Sequence, residues 1–507
     1  MEFACSHVVC NWDKLEGLTR LKANVNVVSL NVGKLVDTSQ SGMETFQRPV
    51  ICGKCSAAVW RCEFCGYENS VDESLAALCI GQRAGVRSDD LYLPRQSEDD
   101  YQNLEDTLVV FCVDTSGSMS VTTETYVSRL EGMQDALYRA LFTIKQRSPH
   151  RRVALVTFND EVVIYGDGTS APITLRDWAL VDYDHIWEKG VTYHIPHCIA
   201  ETYNHLIQRV KLREHGATCL GPAALASVAM ASRYPGSKVI LCTDGKANIG
   251  LGEMEEAPSL TPSAFTPYFY TQLALDAVQK VIISVMTFEG TDCRLADIGK
   301  LADATGGRVN IVSIGTVARE IESVSEDNVL ATGVKATLLA SDGYFPYEDE
   351  NNHKLVREIG NVTKGLEITF QFAVKPMLPF QMQLSFKTRD QHRITRIITE
   401  QRPATTCRIF AGRLNMAVLD VHCAQLCASL TMEGKVQEAQ RQLKAQQDLL
   451  QQVSKWRPIQ KEESMYGNWM ETMTTICEDI TTESQLTLSD EAAKVVYQMK
   501  RASSVRN

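Results

Sequence analysis

The chain has 507 residues, of which 44% are hydrophobic and 22% are charged, and its formal net charge at pH 7 is −11. This length suits about three or four domains, and the near-average composition excludes a largely disordered protein. The acidic balance argues against nucleic-acid binding as the main function, and no apolar run approaches the roughly 18 residues of a membrane helix.

The first two segments predict a strand and a compact cysteine-rich module. Residues 1–47 are short of helical periodicity, and the alternating apolar residues of the run 24–32 predict a strand within the segment 20–47. Residues 48–70 hold four closely spaced cysteines. The acidic stretch that connects this segment to residue 107 predicts a solvated linker.

Residues 107–321 predict a doubly wound α/β domain. Continuous apolar strands alternate here with helical stretches, as expected for a mostly parallel sheet with helices on both faces. The runs 152–158 and 162–165 are joined by Asn159-Asp160, which predicts an antiparallel hairpin at one edge of that sheet.

The last two regions predict a small β domain followed by helices. Residues 329–405 read as strands separated by turns, which favours an antiparallel β-sandwich that the N-terminal strand would complete. Residues 407–500 predict a helical domain. Its stripe of Val436, Ala439 and Leu443 indicates a packing face, with an oligomerising coiled coil as the alternative.

The chain contains 16 cysteines, and four of them form two Cys-x-x-Cys pairs six residues apart: Cys52, Cys55, Cys62 and Cys65. Four thiolates complete the tetrahedral shell of a structural zinc ion, whereas dithiol redox chemistry would need only one pair. Many of the other cysteines lie in apolar runs and suit a reduced compartment. The N-terminus lacks the basic start and apolar core of a signal peptide, so we expect a cytoplasmic protein.

A second candidate metal site is spread over three strand ends. The run Asp114-Thr115-Ser116-Gly117-Ser118 follows one predicted strand, Asp244 follows another, and Thr218 precedes a helix. Open α/β sheets bind ligands at the carboxyl edge where these residues fall. Three hydroxyls and two carboxylates suit a hard divalent cation, and magnesium is the cation we expect.

These motifs resemble the metal-ion-dependent adhesion site of von Willebrand factor A domains. The resemblance covers residues 107–320 and matches all five motif positions: Asp114, Ser116, Ser118, Thr218 and Asp244. It implies that the hydroxyls contact the ion directly and that the aspartates act partly through water. An acidic residue of a protein partner would then complete the coordination shell.

The cysteine segment is similar to the zinc domain of the inner-coat Sec proteins of COPII vesicles. The run RPVICGKC is followed by VWRCEFCGYEN, and the order of zinc module, A-type domain, sandwich and helices also matches that family. The non-GTPase part of circularly permutated Ras proteins shares this layout, and the chain looks closest to that group. The fold class implied is a multidomain α/β plus β protein: zinc ribbon, von Willebrand A-type domain, β-sandwich and helical region.

Several features depart from these families. The spacer between the two cysteine pairs is only six residues, and the coat proteins' C-terminal gelsolin-like domain has no counterpart. Coat trunks generally lack an intact adhesion site, whereas this chain keeps all five positions. The sequence also contains no GxxxxGK[ST] phosphate loop, so we do not expect a GTPase.

Two weaker clusters leave their ligand binding open. His194 and His197 flank a proline, and we interpret them as part of a loop that enters a helix. Cys5, His7 and Cys10 offer three potential ligands, and an ordinary mobile terminus is the preferred interpretation. Signatures of hydrolases, metalloproteases and kinases are missing from the sequence, so we expect no enzyme activity.

The sequence therefore predicts an intracellular interaction scaffold. Its A-type domain would bind an acidic residue of a protein partner through Mg²⁺, and Zn²⁺ would stabilise the cysteine module. The alternative is a COPII-like coat component in transport from the endoplasmic reticulum to the Golgi. A small GTPase and coat subunits are the candidate partners in that case, at the surface of ER-derived membranes.

Overall fold

The computed structural model describes residues 1–9, 24–38, 45–46, 49, 51–52, 54, 67, 88–94, 107–122, 126–254, 266–326, 329–340, 343–347, 353–374, 378–390, 392–405, 413–458, 471–477 and 488–503. The chain divides into two compact units. The first unit contains residues 1–101, 334–486 and 498–507, and the second contains residues 102–333 and 487–497.

A seven-stranded sheet forms the centre of the second unit. Across the sheet the strands are Val309–Val312, Val281–Phe288, Ser237–Thr243, Leu108–Asp114, Arg152–Phe158, Val162–Gly166 and Ile173–Leu175. The first five run parallel, and the last two extend the edge as antiparallel strands. The middle strands are buried along their whole length, because helices cover both of their faces.

The helices of this unit pack on both sides of the sheet. Val109, Phe111 and Val113 share an apolar cluster with the helices Arg129–Arg147, Ile199–Arg209 and Val317–Glu326. The opposite face packs on Leu220–Ala231, a helix buried on every side. The remaining helices are Tyr183–Thr192, Thr266–Ala277 and Leu295–Thr305, with 3-10 turns at Gly117–Ser120 and Asp177–Val181. The helix Asp490–Lys500 and the strand Val329–Ala340 each contain residues of both units.

The first unit contains two larger sheets. A three-stranded sheet has the order Glu2–Phe3, Val27–Asn31 and Glu367–Gln371, so a strand from the N-terminal segment pairs with one from the β-rich region. A six-stranded sheet has the order Lys354–Thr363, Val329–Ala340, Leu378–Thr388, Arg393–Arg402, Ser88–Tyr92 and Thr45–Phe46. Short pairs also join Gly343–Tyr344 to Ala373–Val374 and Val8–Val9 to Ala404–Thr405.

Ser88–Tyr92 corrects one sequence-based expectation. The segment between the cysteine module and residue 107 was expected to be a solvated linker, yet these five residues pair antiparallel with the strand Arg393–Arg402. Leu91 and Tyr92 are buried, and Asp89 accepts two hydrogen bonds from Arg396. A strand this short, with two consecutive aspartates, carries too little apolar pattern to be recognised.

The helices of the first unit include Val32–Val36, Met416–Met432 and Val436–Ser454. Val436, Ala439 and Leu443 are buried, and their helix packs against the one before it. The predicted stripe is therefore a packing face inside this unit. Within the described ranges, no helix is long and apolar enough to span a membrane.

Candidate metal centre at the carboxyl edge of the sheet

Three loops at the carboxyl edge of the seven-stranded sheet bring the predicted oxygen ligands together. The Oγ atoms of Ser116 and Ser118 lie 3.0 Å apart, and Ser118 Oγ donates to Asp244 Oδ1 at 2.5 Å. A Cβ placed on Gly245 would lie 3.6 Å from Ser118 Oγ and 3.8 Å from Thr218 Oγ1. The hydroxyls of Ser118 and Thr218 therefore border the same small space, beside the loop that carries Asp244 and Gly245.

Asp114 is fully buried at the end of its strand. Its Oδ1 accepts the Ser116 N–H at 2.8 Å, and its Oδ2 accepts the Thr243 hydroxyl at 2.6 Å. Burial raises the pKa of the Asp114 carboxyl to about 6, although the hydrogen bonds from Ser116 and Thr243 oppose that rise. A divalent cation would oppose this shift, because its positive charge would stabilise the buried carboxylate.

Backbone contacts hold the loop that carries Ser116 in place. Thr115 N–H donates to Phe158 O at 2.8 Å, and Gly117 N–H donates to Gly216 O at 3.1 Å. Gly216 has a φ of +74°, and a Cβ there would lie 2.5 Å from the Asp160 carboxylate, so glycine suits this position. The loop that carries Ser116 is thus tied to the neighbouring strand and to the loop that carries Thr218.

The site is buried at its base and open at one side. Ser116, Thr218 and Asp244 expose 2%, 4% and 3% of their surface, whereas Ser118 is exposed. Thr218 N–H also donates to Asn248 Oδ1 at 2.7 Å, which orients its loop. A ligand from outside could therefore reach the space between the loops along the Ser118 side.

Two residues at the site have no counterpart in the sequence-based prediction. Arg129 donates to Asp244 Oδ2 at 2.8 Å, and the two side chains expose 11% and 0% of their surface. Thr243 is the second, through its bond to Asp114. Neither residue is one of the five predicted ligand positions, and no spacing signal in the sequence connects Arg129 with Asp244.

The donor set at this edge consists of oxygen atoms only. Two carboxylates and three hydroxyls, with water, match the preference of Mg²⁺ for hard oxygen ligands, and one Asp244 oxygen is shared with Arg129. The part of the chain that the structure describes contains no group of three or more His, Cys, Asp or Glu side chains placed to hold a metal. At this edge the hydroxyls supply the remaining oxygens.

Of the four predicted zinc ligands, only Cys52 lies within the described residues. It is 2% exposed, and its Sγ accepts the Lys54 N–H at 3.4 Å. Cys55, Cys62 and Cys65 lie outside the described residues.

The histidine cluster and the N-terminal cysteine cluster differ in how the structure compares with the prediction. His194 and His197 are exposed in a loop that leads into the helix Ile199–Arg209, and His197 Nδ1 lies 2.9 Å from Glu201 Oε2. The expectation of a mobile N-terminus is wrong for the described residues 1–9. Ala4 and Cys5 are buried there, and Ala4 N–H donates to Val27 O at 2.9 Å. Cys10 lies outside the described residues.

No family model matches the chain. The chain is 27% identical over 490 residues to circularly permutated Ras protein 1 of Dictyostelium discoideum. The aligned region covers 87% of this chain and 57% of that protein. It thus spans little more than half the length of this curated relative.

Among solved structures, the chain is similar to the human COPII-coat protein Sec24c. The TM-score is 0.64 at 12% identity, over 99% of this chain and 74% of that one. A von Willebrand factor type A protein from Catenulispora acidiphila also matches, with a TM-score of 0.48 at 14% identity, over 84% of this chain and 94% of that one. The similarity to Sec24c shows that the chain shares the mixed α/β fold of that protein.

Proposed function

We propose that this chain is an intracellular interaction scaffold whose second unit binds an acidic residue of a protein partner through Mg²⁺. The observation that carries the proposal is the convergence of Ser116, Ser118 and Asp244 on one space, with Thr218 facing the same space from the next loop. Asp114 supports them from below through the Ser116 N–H.

The residues of this site would favour a divalent cation and, on that cation, a carboxylate from a partner. The hydroxyls of Ser116, Ser118 and Thr218 would hold the ion without adding charge, while Asp114 and Asp244 supply two negative charges. Arg129 offsets part of the Asp244 charge. Bound there, Mg²⁺ would supply an electrophilic coordination position, and a carboxylate from outside fits that position better than a neutral group. The chain itself would carry out no reaction, so we propose a binding protein and not an enzyme.

Partner capture with two matched variants tests this proposal. Asp114→Asn keeps the size of the side chain but removes a ligand charge, whereas Asp135→Asn removes an exposed carboxylate of the helix Arg129–Arg147. We expect partners that bind wild type in Mg²⁺ to be lost with chelator and with Asp114→Asn, but kept with Asp135→Asn. If every captured partner were retained in chelator, the metal-bridged mechanism would be wrong.

We also propose that Cys52, Cys55, Cys62 and Cys65 bind one structural Zn²⁺. Supporting this, Cys52 is buried and its sulfur accepts a backbone N–H from Lys54, as a thiolate held in a tight turn would. Metal analysis should find one zinc per chain, and Cys52→Ser should reduce that content. Purified protein that is folded but free of zinc would contradict the assignment.

A coat or trafficking component is the second candidate, and the similarity in fold to Sec24c favours it. In that case the chain would assemble with other coat subunits through large sheet and helix surfaces, and the metal would only stabilise the loops. Recruitment to ER-like liposomes by a small GTPase separates the two proposals. A coat component would be recruited equally as wild type and as Asp114→Asn, and its place would be the cytoplasmic surface of ER-derived membranes.

A further inference from the structure

The wall of a polar cavity in the first unit contains none of the predicted metal ligands that the structure describes. Its volume is about 170 Å³, and its wall includes Thr369, Gln371, Arg357 and His422, with Tyr347 and Glu433 exposed around it. An engineered cavity of about 150 Å³ holds a molecule of the size of benzene. This cavity is therefore large enough for a small organic ligand.

The hydrogen bonds around His422 fix which ring nitrogen carries the proton. Gln425 Nε2 donates to the carbonyl oxygens of Glu367 and Ala502, so its Oε1 is an acceptor, and Thr369 Oγ1 lies 2.9 Å from that oxygen. The Thr369 hydroxyl must use its single hydrogen on that contact. His422 Nδ1, which is 2.9 Å from the same hydroxyl, must then be the donor.

This assignment leaves His422 Nε2 as an acceptor that faces no donor. His422 is 9% exposed, and among the described residues its Nε2 has no hydrogen-bond partner. Burial, with a smaller contribution from the Arg357 charge, lowers the pKa of His422 to about 3, so the ring is neutral at physiological pH. A buried acceptor without a partner costs free energy, which a ligand with an O–H or N–H group would recover.

Gln371 requires an acceptor from a ligand, whereas His422 Nε2 requires a donor. Gln371 is 6% exposed, and within the described ranges its Nε2 has no acceptor. Arg357, whose guanidinium stacks 4.3 Å above the Phe370 ring, adds a positive charge to the same wall. An anionic acceptor such as a carboxylate fits both the Gln371 amide and the positive charge of Arg357.

We propose that this cavity binds a small hydroxycarboxylate. The carboxylate would face Arg357 and Gln371, and the hydroxyl would donate to His422 Nε2. The proposal is independent of the metal centre, because every residue that it uses belongs to the first unit.

Matched acids test the proposal with the full chain by isothermal titration calorimetry. L-lactate, L-malate and citrate each have a counterpart without the hydroxyl: propionate, succinate and tricarballylate. We expect at least one hydroxy acid to bind, and to bind about tenfold more tightly than its counterpart, because only the hydroxyl can satisfy His422. If none of the three hydroxy acids binds at about 10 mM, the cavity holds only water and the proposal is wrong.

Variants locate the binding. His422→Asn keeps a donor near Thr369 but lacks the Nε2 acceptor, so the preference for the hydroxy acid should disappear while the affinity for its counterpart stays the same. Arg357→Gln should weaken the binding of both acids at least tenfold, whereas Lys335→Gln, an equal charge change outside the cavity wall, should weaken neither. Binding that is unchanged in Arg357→Gln would place the acid elsewhere and overturn the proposal. Thermal unfolding of each variant verifies that it is folded.

Discussion

Replacing Arg129 with methionine should destabilise the second unit in a way that Mg²⁺ repairs. Arg129 donates to Asp244 Oδ2 at 2.8 Å, and the Asp244 side chain is fully buried. Arg129→Met keeps most of the apolar volume but leaves the Asp244 carboxylate without its cation, near the buried Asp114. An ion at the proposed site would supply positive charge to both carboxylates.

The expected loss follows from the geometry of this ion pair. Two unit charges at this distance attract each other by about 6 kcal/mol at an effective dielectric constant of about 20. Desolvation of the two groups offsets much of this attraction, and removing one partner of a buried pair typically costs about 3–5 kcal/mol. Because 11% of the Arg129 side chain remains exposed, we expect a loss of about 3 kcal/mol without metal.

Denaturant unfolding with EDTA or with saturating Mg²⁺ measures this effect. Mg²⁺ at about 100 times its Kd stabilises a protein by about 2.7 kcal/mol, so Arg129→Met with Mg²⁺ should regain most of the stability that it lacks relative to wild type in EDTA. Arg139→Met is the control on the same helix: its ion pair with Asp135 is exposed and contributes at most about 0.5 kcal/mol. If Arg129→Met matched this control in EDTA, or if Mg²⁺ restored no stability, the account of the site would be refuted.

Two further predictions concern other buried groups. Asp490 accepts the N–H groups of Cys293 at 2.6 Å and Leu295 at 2.7 Å, so Asp490→Ala should lower the free energy of unfolding in urea by about 2 kcal/mol. Glu491→Ala, at the exposed neighbouring position, should change it little, and equal losses in the two variants would contradict the prediction. Because burial lowers the folded-state pKa of His422 from 6.5 to about 3, its contribution to stability is present above about pH 6.5 and is lost as the pH falls toward 3, by about 1.4 kcal/mol per pH unit. Unfolding measured from pH 7 to pH 5 should show this dependence in wild type relative to His422→Asn, and a difference between the two that is independent of pH would contradict it.

The parts of the fold that the sequence predicts best are those with a dense apolar pattern. Arg152–Phe158 has the predicted bounds, because a continuous β-branched and apolar run specifies a buried strand. Lys354–Thr363 falls in the region predicted to contain strands, but its own bounds do not follow from the sequence, since its apolar residues are interrupted by lysine, arginine and glutamate. For Ser88–Tyr92 the sequence predicts a linker, because the burial of this short strand depends on its pairing with the distant strand Arg393–Arg402.

At the candidate site, too, the sequence predicts the residues at strand ends but not the contacts between residues that are far apart along the chain. The positions of Asp114, Ser116 and Asp244 follow from strand ends, which a sequence reveals. Arg129 is 115 residues from Asp244 along the chain, and its contact depends on how a helix lies against the sheet. Thr243 bonds to Asp114 across 129 residues for the same kind of reason. Tertiary packing determines such pairs, and local patterns contain no trace of them.

Direct measurement of ion binding is the closest test of the proposed Mg²⁺ site at the carboxyl edge of the seven-stranded sheet. Mn²⁺ can replace Mg²⁺ in an oxygen-ligand site and can be followed by electron paramagnetic resonance, whereas the thiolates of the cysteine module suit softer metals. We predict one bound Mn²⁺ per chain that Mg²⁺ displaces, with affinity at least tenfold weaker in Thr218→Ala and Asp114→Asn and unchanged in Asp135→Asn. Binding that is absent at millimolar Mn²⁺, or equal in all three variants, would contradict the metal centre proposed at this edge of the sheet.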